Sequence, residues 1–108
     1  MSNSQVISNY ESLSVLTEQM REAVMRGEWD QLIGLEQQCS RHVAAMKPVD
    51  AITVLDEPSR QIKIRLIKKI LANDADIRSR TAEWMGQLQR IIQSNRQEQL
   101  LQHTYGGA

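Results

Sequence analysis

The chain has 108 residues, 41% hydrophobic and 24% charged, an ordinary soluble composition that excludes an intrinsically disordered chain. Its 13 basic residues balance its 13 acidic residues, so no overall field favours nucleic acid or anionic lipid. With 5 glycines and 2 prolines, turn residues are too few for a sandwich or barrel. We therefore predict an all-α fold, an antiparallel helical bundle of three main helices plus a short C-terminal helix, in a single domain over residues 1–108.

The sequence also indicates where the protein works. Its single cysteine, Cys39, excludes an internal disulfide framework. The first residues have neither a basic start nor an apolar run, so no signal peptide is expected. The longest apolar run is four residues, far too short to span a membrane. We expect a cytoplasmic protein with no membrane partner.

Apolar side chains recur at spacings of three and four residues through the first half of the chain, the pattern of one helical face. They predict helix 1 over about residues 3–26 and helix 2 over about residues 29–46. In helix 1 the pattern comprises Val6, Tyr10, Leu13, Leu16 or Thr17, Met20 and Val24. In helix 2 it comprises Trp29, Leu32, Ile33, Leu35, Cys39, Val43 and Met46. Gly27 ends helix 1 because glycine accepts the left-handed backbone after a helix, and so short a link makes an antiparallel hairpin.

Both prolines fall within residues 47–58, which we predict to be the one linker. Pro48 ends helix 2, because the residue before a proline is pushed out of the helical region. Asp56 can cap the third helix, whose first turn tolerates Pro58.

The second half of the chain is expected to be one long helix followed by a short one. Helix 3 is predicted over about residues 59–94, where apolar residues recur seven, four or three positions apart. A last short helix is predicted over about residues 97–105. Gly106 and Gly107 are then expected to fray.

Helix 3 has a wider apolar face than two flanking helices can cover. Ile62, Leu66 and Ile70 form one ridge. Ile67 and Leu71 form a second ridge beside it, which Asp74 and Arg78 continue. Either both ridges belong to the core, or one is left for another chain, because exposed apolar patches on monomers mark binding sites.

Charge is distributed unevenly along the chain. Residues 1–57 have a net charge of −5 and residues 58–108 a net charge of +5. A basic helix can bind nucleic acid or an acidic partner. Since the two halves cancel and no aromatic lies among the bases, we favour pairing within the chain itself.

Catalytic chemistry is not indicated. His42 and His103 have no neighbouring ligands at metal spacing, and no glycine-rich phosphate loop is present. Cys39 lies on the predicted apolar side of helix 2, which favours a buried, inert thiol. We therefore expect no catalytic, cofactor-binding or metal-binding residues and no enzymatic activity.

Three blocks of sequence carry a resemblance to a known family. RGEWDQLIGLE, from Arg26 to Glu36, resembles the G-x-W-x-x-L-x-x-x-E signature of the flagellar FliT family of export chaperones. IKKILANDADI, from Ile67 to Ile77, is similar to that family's I-x-x-x-L-x-N-E segment, with Asp74 in place of Glu. IIQSNRQEQLLQHTYGG is similar to its I-x-Q-S-x-R-Q…Y-G tail. The ordered blocks span about residues 10–106.

The resemblance implies a chaperone that binds the C-terminal part of the filament-cap protein FliD before export. It also implies contacts with the export ATPase FliI, with FliJ, and with the FlhC subunit of the master regulator FlhDC, whose DNA binding the chaperone blocks when it is free of cap protein. No direct contact with nucleic acid is implied.

The resemblance also implies which residues act. The partner-binding positions of the family fall on Ile67 and Leu71, with Asp74 in the same segment and Arg78 as a basic contact. The last helix is implied to be a lid over the binding face. The lid residues are Leu100, Leu101 and Tyr105.

Two other functions stay open at this point. The chain can be a small helical nucleic-acid-binding protein that uses its basic 60–80 segment. It can also be a structural bundle subunit that self-associates through helix 3. The sequence leaves open whether the protein is a homodimer.

Overall fold

The computed structural model describes the backbone of residues 3–105 and the side chains of residues 3–100. It has three helices: α1 is Asn3–Arg26, α2 is Trp29–Ile52 and α3 is Glu57–Tyr105. None of the described residues lies in a β-strand. The predicted all-α fold is confirmed.

The turn between α1 and α2 forms where the sequence predicts it. Gly27 has a φ of 69°, the left-handed conformation that glycine adopts without a steric penalty. The N–H of Gly27 donates to the carbonyl of Val24, and the N–H of Glu28 donates to that of Ala23. This pair of bonds is a Schellman motif, which satisfies carbonyl groups at the end of α1.

Helix α2 ends at Ile52, so the predicted end at residue 46 is wrong, and Pro48 lies inside the helix. A proline within a helix loses one backbone hydrogen bond and costs about 3 kcal/mol. Tertiary contacts outweigh this cost, because the buried Met46 precedes the proline and Asp50 bonds to both neighbouring helices. Thr53 then closes the helix by donating to the carbonyl of Val49.

The connection to α3 is consequently shorter than the predicted linker of residues 47–58. It comprises only residues 53–56. The side chain of Asp56 accepts a hydrogen bond of 2.8 Å from the backbone N–H of Ser59, which is the predicted capping role. Pro58 occupies the first turn, where no backbone donor is required.

Helix α3 begins at Glu57 and continues to Tyr105, beyond the predicted bounds of residues 59–94. The predicted separate helix over residues 97–105 is wrong, because residues 95 and 96 are helical. The physical reason is the lack of a helix breaker, since no proline or glycine occurs between residues 87 and 105. Gly106 and Gly107 lie outside the described residues.

The chain divides into two compact units, one up to Arg78 and one from Ser79. The first unit holds α1, α2 and the first part of α3. Its main core cluster comprises Met20, Ala23, Val24, Leu32, Leu35 and Ile77, with Leu16, Trp29 and Cys39 packed against it. In the second unit, every described residue from 89 to 100 is exposed.

Within the first unit, α3 runs parallel to α1 and antiparallel to α2. The paired residues follow the same order along both segments: Asp56, just before α3, bonds to Asn3, and Asp76 of α3 pairs with Arg21 of α1. The charges of Lys69 and Glu18 lie between them, 3.8 Å apart. Because Asp50 of α2 pairs with Lys63 of α3, one of the outer grooves of this unit lies between α2 and α3.

Candidate partner-binding groove

One ion pair and one electrostatic effect indicate which face of α3 borders α2. Lys63 Nζ lies 3.1 Å from Asp50 Oδ1 of α2, in a half-buried ion pair. Farther along, the charge of Asp74 acts on Cys39 of α2. Ile67 and Leu71 fall between Lys63 and Asp74 at spacings of four, four and three residues, which places all four on one helical face. This face is the α3 wall of the groove.

The opposite wall belongs to α2, and α1 supplies the floor. A cavity of about 610 Å³ opens on the side of α2 that bears Cys39. It is lined by Met20 of α1 and by Glu36, Cys39, Ser40, Val43, Ala44 and Lys47 of α2. We name this cavity, together with Ile67, Leu71, Asp74 and Arg78 of α3, the α2–α3 groove. All of its residues lie in the first compact unit.

The two ridges of α3 have different surroundings. The first ridge, containing Ile70, leads to Asn73 and Ile77, which are buried in the bundle. On the second ridge, Ile67 is half-buried and Leu71 is 61% exposed. The second ridge is therefore not fully used as core within the first unit, and it presents apolar surface on the α3 side of the groove.

The polar end of the second ridge is an ion pair on α3 itself. Arg78 Nε lies 3.0 Å from Asp74 Oδ2, at the i, i+4 spacing of a helix surface pair. The Arg78 side chain is exposed. Of the four predicted partner-binding residues, the structure brings these two into direct contact and places Ile67 and Leu71 on the same face.

The electrostatics of the groove are visible at Cys39. Burial raises the pKa of this thiol, and the carboxylates of Asp74 and Glu36 raise it further because they oppose a thiolate. The predicted inert thiol thus has a physical basis. Although half-buried, Cys39 lines the cavity, so its accessibility reports on whether the groove is occupied.

The basic segment of α3 is partly neutralised by acids of the same chain. Lys63 pairs with Asp50 and Lys69 pairs with Glu18, both acids of the first half. These pairs support the interpretation that the two oppositely charged halves pair with each other. They leave the segment less suited to tracking a phosphate backbone.

The predicted lid residues belong to the second unit. Leu100 is an exposed residue of α3. The side chains of Leu101 and Tyr105 lie outside the described residues. Their contacts with the groove stay a prediction.

Sequence reasoning missed most of the α2 wall. It assigned Ile33 and Val43 to the core stripe, whereas Ile33 is 53% exposed and Val43 lines the cavity. Glu36 and Lys47 are charged, so the apolar pattern of helix 2 does not point to them. Only their helical position next to the apolar stripe could have indicated that they line a groove. The α2 wall thus depends on which face of α2 the other helices leave uncovered, which a helical period does not supply.

Across the part of the chain that the structure describes, no helix is both long and apolar enough to cross a bilayer. Among the same residues, no group of three or more His, Cys, Asp or Glu side chains could hold a metal ion.

Comparison with known proteins identifies the family. Residues 7–107 match the sequence model described as flagellar protein FliT. The chain belongs to the FliT family. It is 24% identical over 101 residues to a flagellar protein FliT of Photorhabdus laumondii, a match covering 94% of this chain and 81% of the relative. The family is one of flagellar chaperone-type proteins.

A solved FliT structure has the same fold. The crystal structure of flagellar protein FliT from Bordetella bronchiseptica superposes with a TM-score of 0.75 at 27% sequence identity. The match covers 80% of this chain and 97% of that one. The resemblance in the three sequence blocks is therefore confirmed at the level of the family and of the helical fold.

Proposed function

We propose that this FliT-family chain is a cytoplasmic export chaperone whose α2–α3 groove binds the C-terminal region of the filament-cap protein FliD. Binding keeps FliD export-competent until it is delivered to the export apparatus through FliI and FliJ. The observation that carries the proposal is the apolar second ridge of α3, with Leu71 61% exposed, on the face that Lys63 turns toward α2, together with an open cavity on α2.

The size of the groove supports a peptide-binding role of moderate affinity. A fully buried Leu or Ile side chain stabilises a complex by roughly 1.5–3 kcal/mol. Ile67 and Leu71 together with the apolar residues of the cavity then provide several such contributions. Ordering a flexible partner offsets part of this gain, so we expect an affinity of about 1 μM.

We propose further that the free chaperone binds FlhC and thereby antagonises FlhDC. The family resemblance supports this role, and one groove in the first unit offers a simple basis for it. If FliD and FlhC share the groove, FliD releases FlhC by competition. We expect a FliD segment to displace FlhC from the chain in a pull-down titration, with displacement lost when FlhC binds another surface.

The end of α3 is proposed to regulate access as a lid, through Leu100, Leu101 and Tyr105. Both Leu71 and Leu100 lie in one continuous helix in this structure, so a lid requires α3 to break between them. A lid closed 90% of the time weakens apparent affinity about tenfold. Truncation after Ser94 is therefore expected to tighten FliD binding, and unchanged or weaker binding contradicts the lid.

Calorimetric titration with the C-terminal segment of the cognate FliD tests the central proposal. We expect the wild-type chain to bind and the Ile67→Asp, Leu71→Asp double variant to lose binding while circular dichroism shows it folded. Val15→Asp is the matched control, because Val15 is 52% exposed on α1. Loss of binding in the control as well, or binding retained in the double variant, rejects the groove as the site.

A further inference from the structure

The α2–α3 groove is electrically asymmetric along its length. At one end lie Glu36 of α2 and the Asp74–Arg78 ion pair of α3. At the other end lie Lys47 of α2 and the Asp50–Lys63 ion pair. Each end therefore has one internally neutralised pair and one further charge, which is negative at Glu36 and positive at Lys47.

Between these charged ends the groove is mostly apolar. Glu36 and Lys47 are 11 residues apart on α2, which corresponds to about three helical turns or roughly 16 Å. Met20, Val43 and Leu71 provide apolar surface along this distance. Two helical walls and an apolar floor are the setting in which an amphipathic helix lays its apolar face.

We propose that the groove accepts an amphipathic helix of about three turns in one fixed direction, with the N-terminus of that helix at Glu36 and its C-terminus at Lys47. The bound helix then runs parallel to α2. This inference rests on the proposed function, which supplies the partner, and adds the direction in which the partner lies.

The physical reason is the charge of helix ends. A helix carries about half a positive charge at its N-terminus and half a negative charge at its C-terminus. The proposed direction brings each end to the opposite charge of the groove, and the reversed direction brings like charges together. A basic first turn or an acidic last turn destabilises the partner helix itself, because it places like charge at a helix end. In the proposed direction, however, the basic turn lies near Glu36 and the acidic turn near Lys47, so each is attracted to the groove. Glu36 is also among the groups that raise the pKa of the Cys39 thiol at this end of the groove, after burial and Asp74.

The direction can be measured with short-range quenching. In a Cys39→Ser background, Ile33→Cys and Ala51→Cys place a nitroxide label beyond each end of the groove. Both positions are exposed, and they lie five turns apart on the same side of α2. The probe is a FliD C-terminal peptide, trimmed to its shortest binding length, with a fluorophore at its N-terminus or at its C-terminus.

We expect the nitroxide at residue 33 to quench the N-terminal fluorophore and that at residue 51 to quench the C-terminal one, each by at least threefold over the opposite pairing. The reverse pattern, or equal quenching in all pairings, overturns the fixed direction. If a peptide that gives the reverse or an equal pattern still requires Ile67 and Leu71 for binding, the proposed function stands while the proposed direction fails. If the wild-type chain binds no peptide, both are overturned.

Charge reversal gives an independent readout. Glu36→Lys and Lys47→Glu are each expected to weaken peptide binding about threefold at low ionic strength. The difference disappears at about 1 M salt, where the screening length falls to about 3 Å. Glu11→Lys and Arg65→Glu are the matched controls, because both residues are exposed and lie outside the groove lining. Equal weakening in the controls contradicts the proposed direction.

Discussion

Asn73 of α3 donates a hydrogen bond from Nδ2 to Thr17 Oγ1 of α1 over 3.2 Å, and both side chains are buried. The Thr17 hydroxyl donates in turn to the carbonyl of Ser14 over 2.9 Å. This short chain of bonds is buried between α1 and α3. It fixes the position of α3 along α1, because sliding either helix leaves polar atoms buried without partners.

Removing one partner of this pair is expected to cost more than removing both. Thr17→Val leaves the Asn73 amide buried and unpaired, which lowers the free energy of unfolding by about 1–3 kcal/mol. Adding Asn73→Leu removes the stranded amide and is expected to restore part of that loss. Urea denaturation measures the free energy of unfolding of the single and double variants, with the exposed Asn95→Leu as a control. A double variant as unstable as the sum of the two single variants contradicts the pairing.

The two prolines predict opposite responses to the same substitution. Pro48 lies inside α2, so Pro48→Ala regains a backbone hydrogen bond and is expected to raise the free energy of unfolding by about 1–3 kcal/mol. Pro58 lies in the first turn of α3, where Pro58→Ala regains nothing and loosens the unfolded chain, lowering stability by about 0.4–1 kcal/mol. Thermal and urea unfolding distinguish these results; similar shifts for both variants would show that Pro48 does not interrupt the helix.

High pH is expected to weaken the contact that joins all three helices. Tyr10 donates a 3.0 Å hydrogen bond to Asp50, and Lys63 also bonds to Asp50 while lying 5.2 Å from the centre of the Tyr10 ring. Burial raises the pKa of Tyr10, and the bond to Asp50 raises it further. For Lys63, burial lowers the pKa, but the hydrogen bond and charge of Asp50, with Tyr10, raise it by more.

Both groups therefore hold their protons more tightly in the folded protein than in the unfolded chain. Their contribution to stability is fully present below pH 10.0, the ordinary pKa of tyrosine, and is lost as the pH rises through the raised values. We expect the drop in unfolding free energy between pH 8 and pH 11 to be smaller in a Tyr10→Phe, Lys63→Met variant. An equal drop in wild type and variant assigns the pH dependence to other groups.

Cys39 is expected to report on the groove through its reactivity. Its raised pKa leaves little thiolate at pH 8, so modification by a disulfide reagent is slow compared with a free thiol. Asp74→Asn removes one opposing charge and is expected to speed the reaction, whereas Asp30→Asn, exposed elsewhere on α2, leaves it unchanged. Saturation with FliD peptide is expected to slow the reaction at least tenfold. Full reactivity in the complex would place the peptide elsewhere.

The helical class, the α1–α2 hairpin and the second ridge of α3 could all be predicted from the sequence, because each depends on local signals. Gly27, the apolar spacing and the cap at Asp56 are such signals. The continuation of α2 through Pro48 could not be predicted, since it depends on the bonds of Asp50 to residues distant in sequence. At Pro48, the local tendency of proline to end a helix is outweighed by these tertiary contacts.

The candidate site was predicted only on one wall. Ile67 and Leu71 stand out because they are apolar positions in excess of what a core needs. The α2 wall, with Glu36 and Lys47, consists of residue types that any helix surface carries. The buried Asn73 was likewise not predicted as core, since a polar residue enters the core pattern only when its partner is known.

The tight reversal at Gly27 has a consequence for the order of folding. Because only Gly27 and Glu28 separate α1 from α2, their contacts close a short loop, and local contacts form faster than distant ones. During synthesis, the first two helices leave the ribosome and can pair before α3 exists. We expect mutations such as Leu32→Ala to slow refolding and Ile77→Ala mainly to speed unfolding. The nascent chain thus completes one wall of the groove before the other is made.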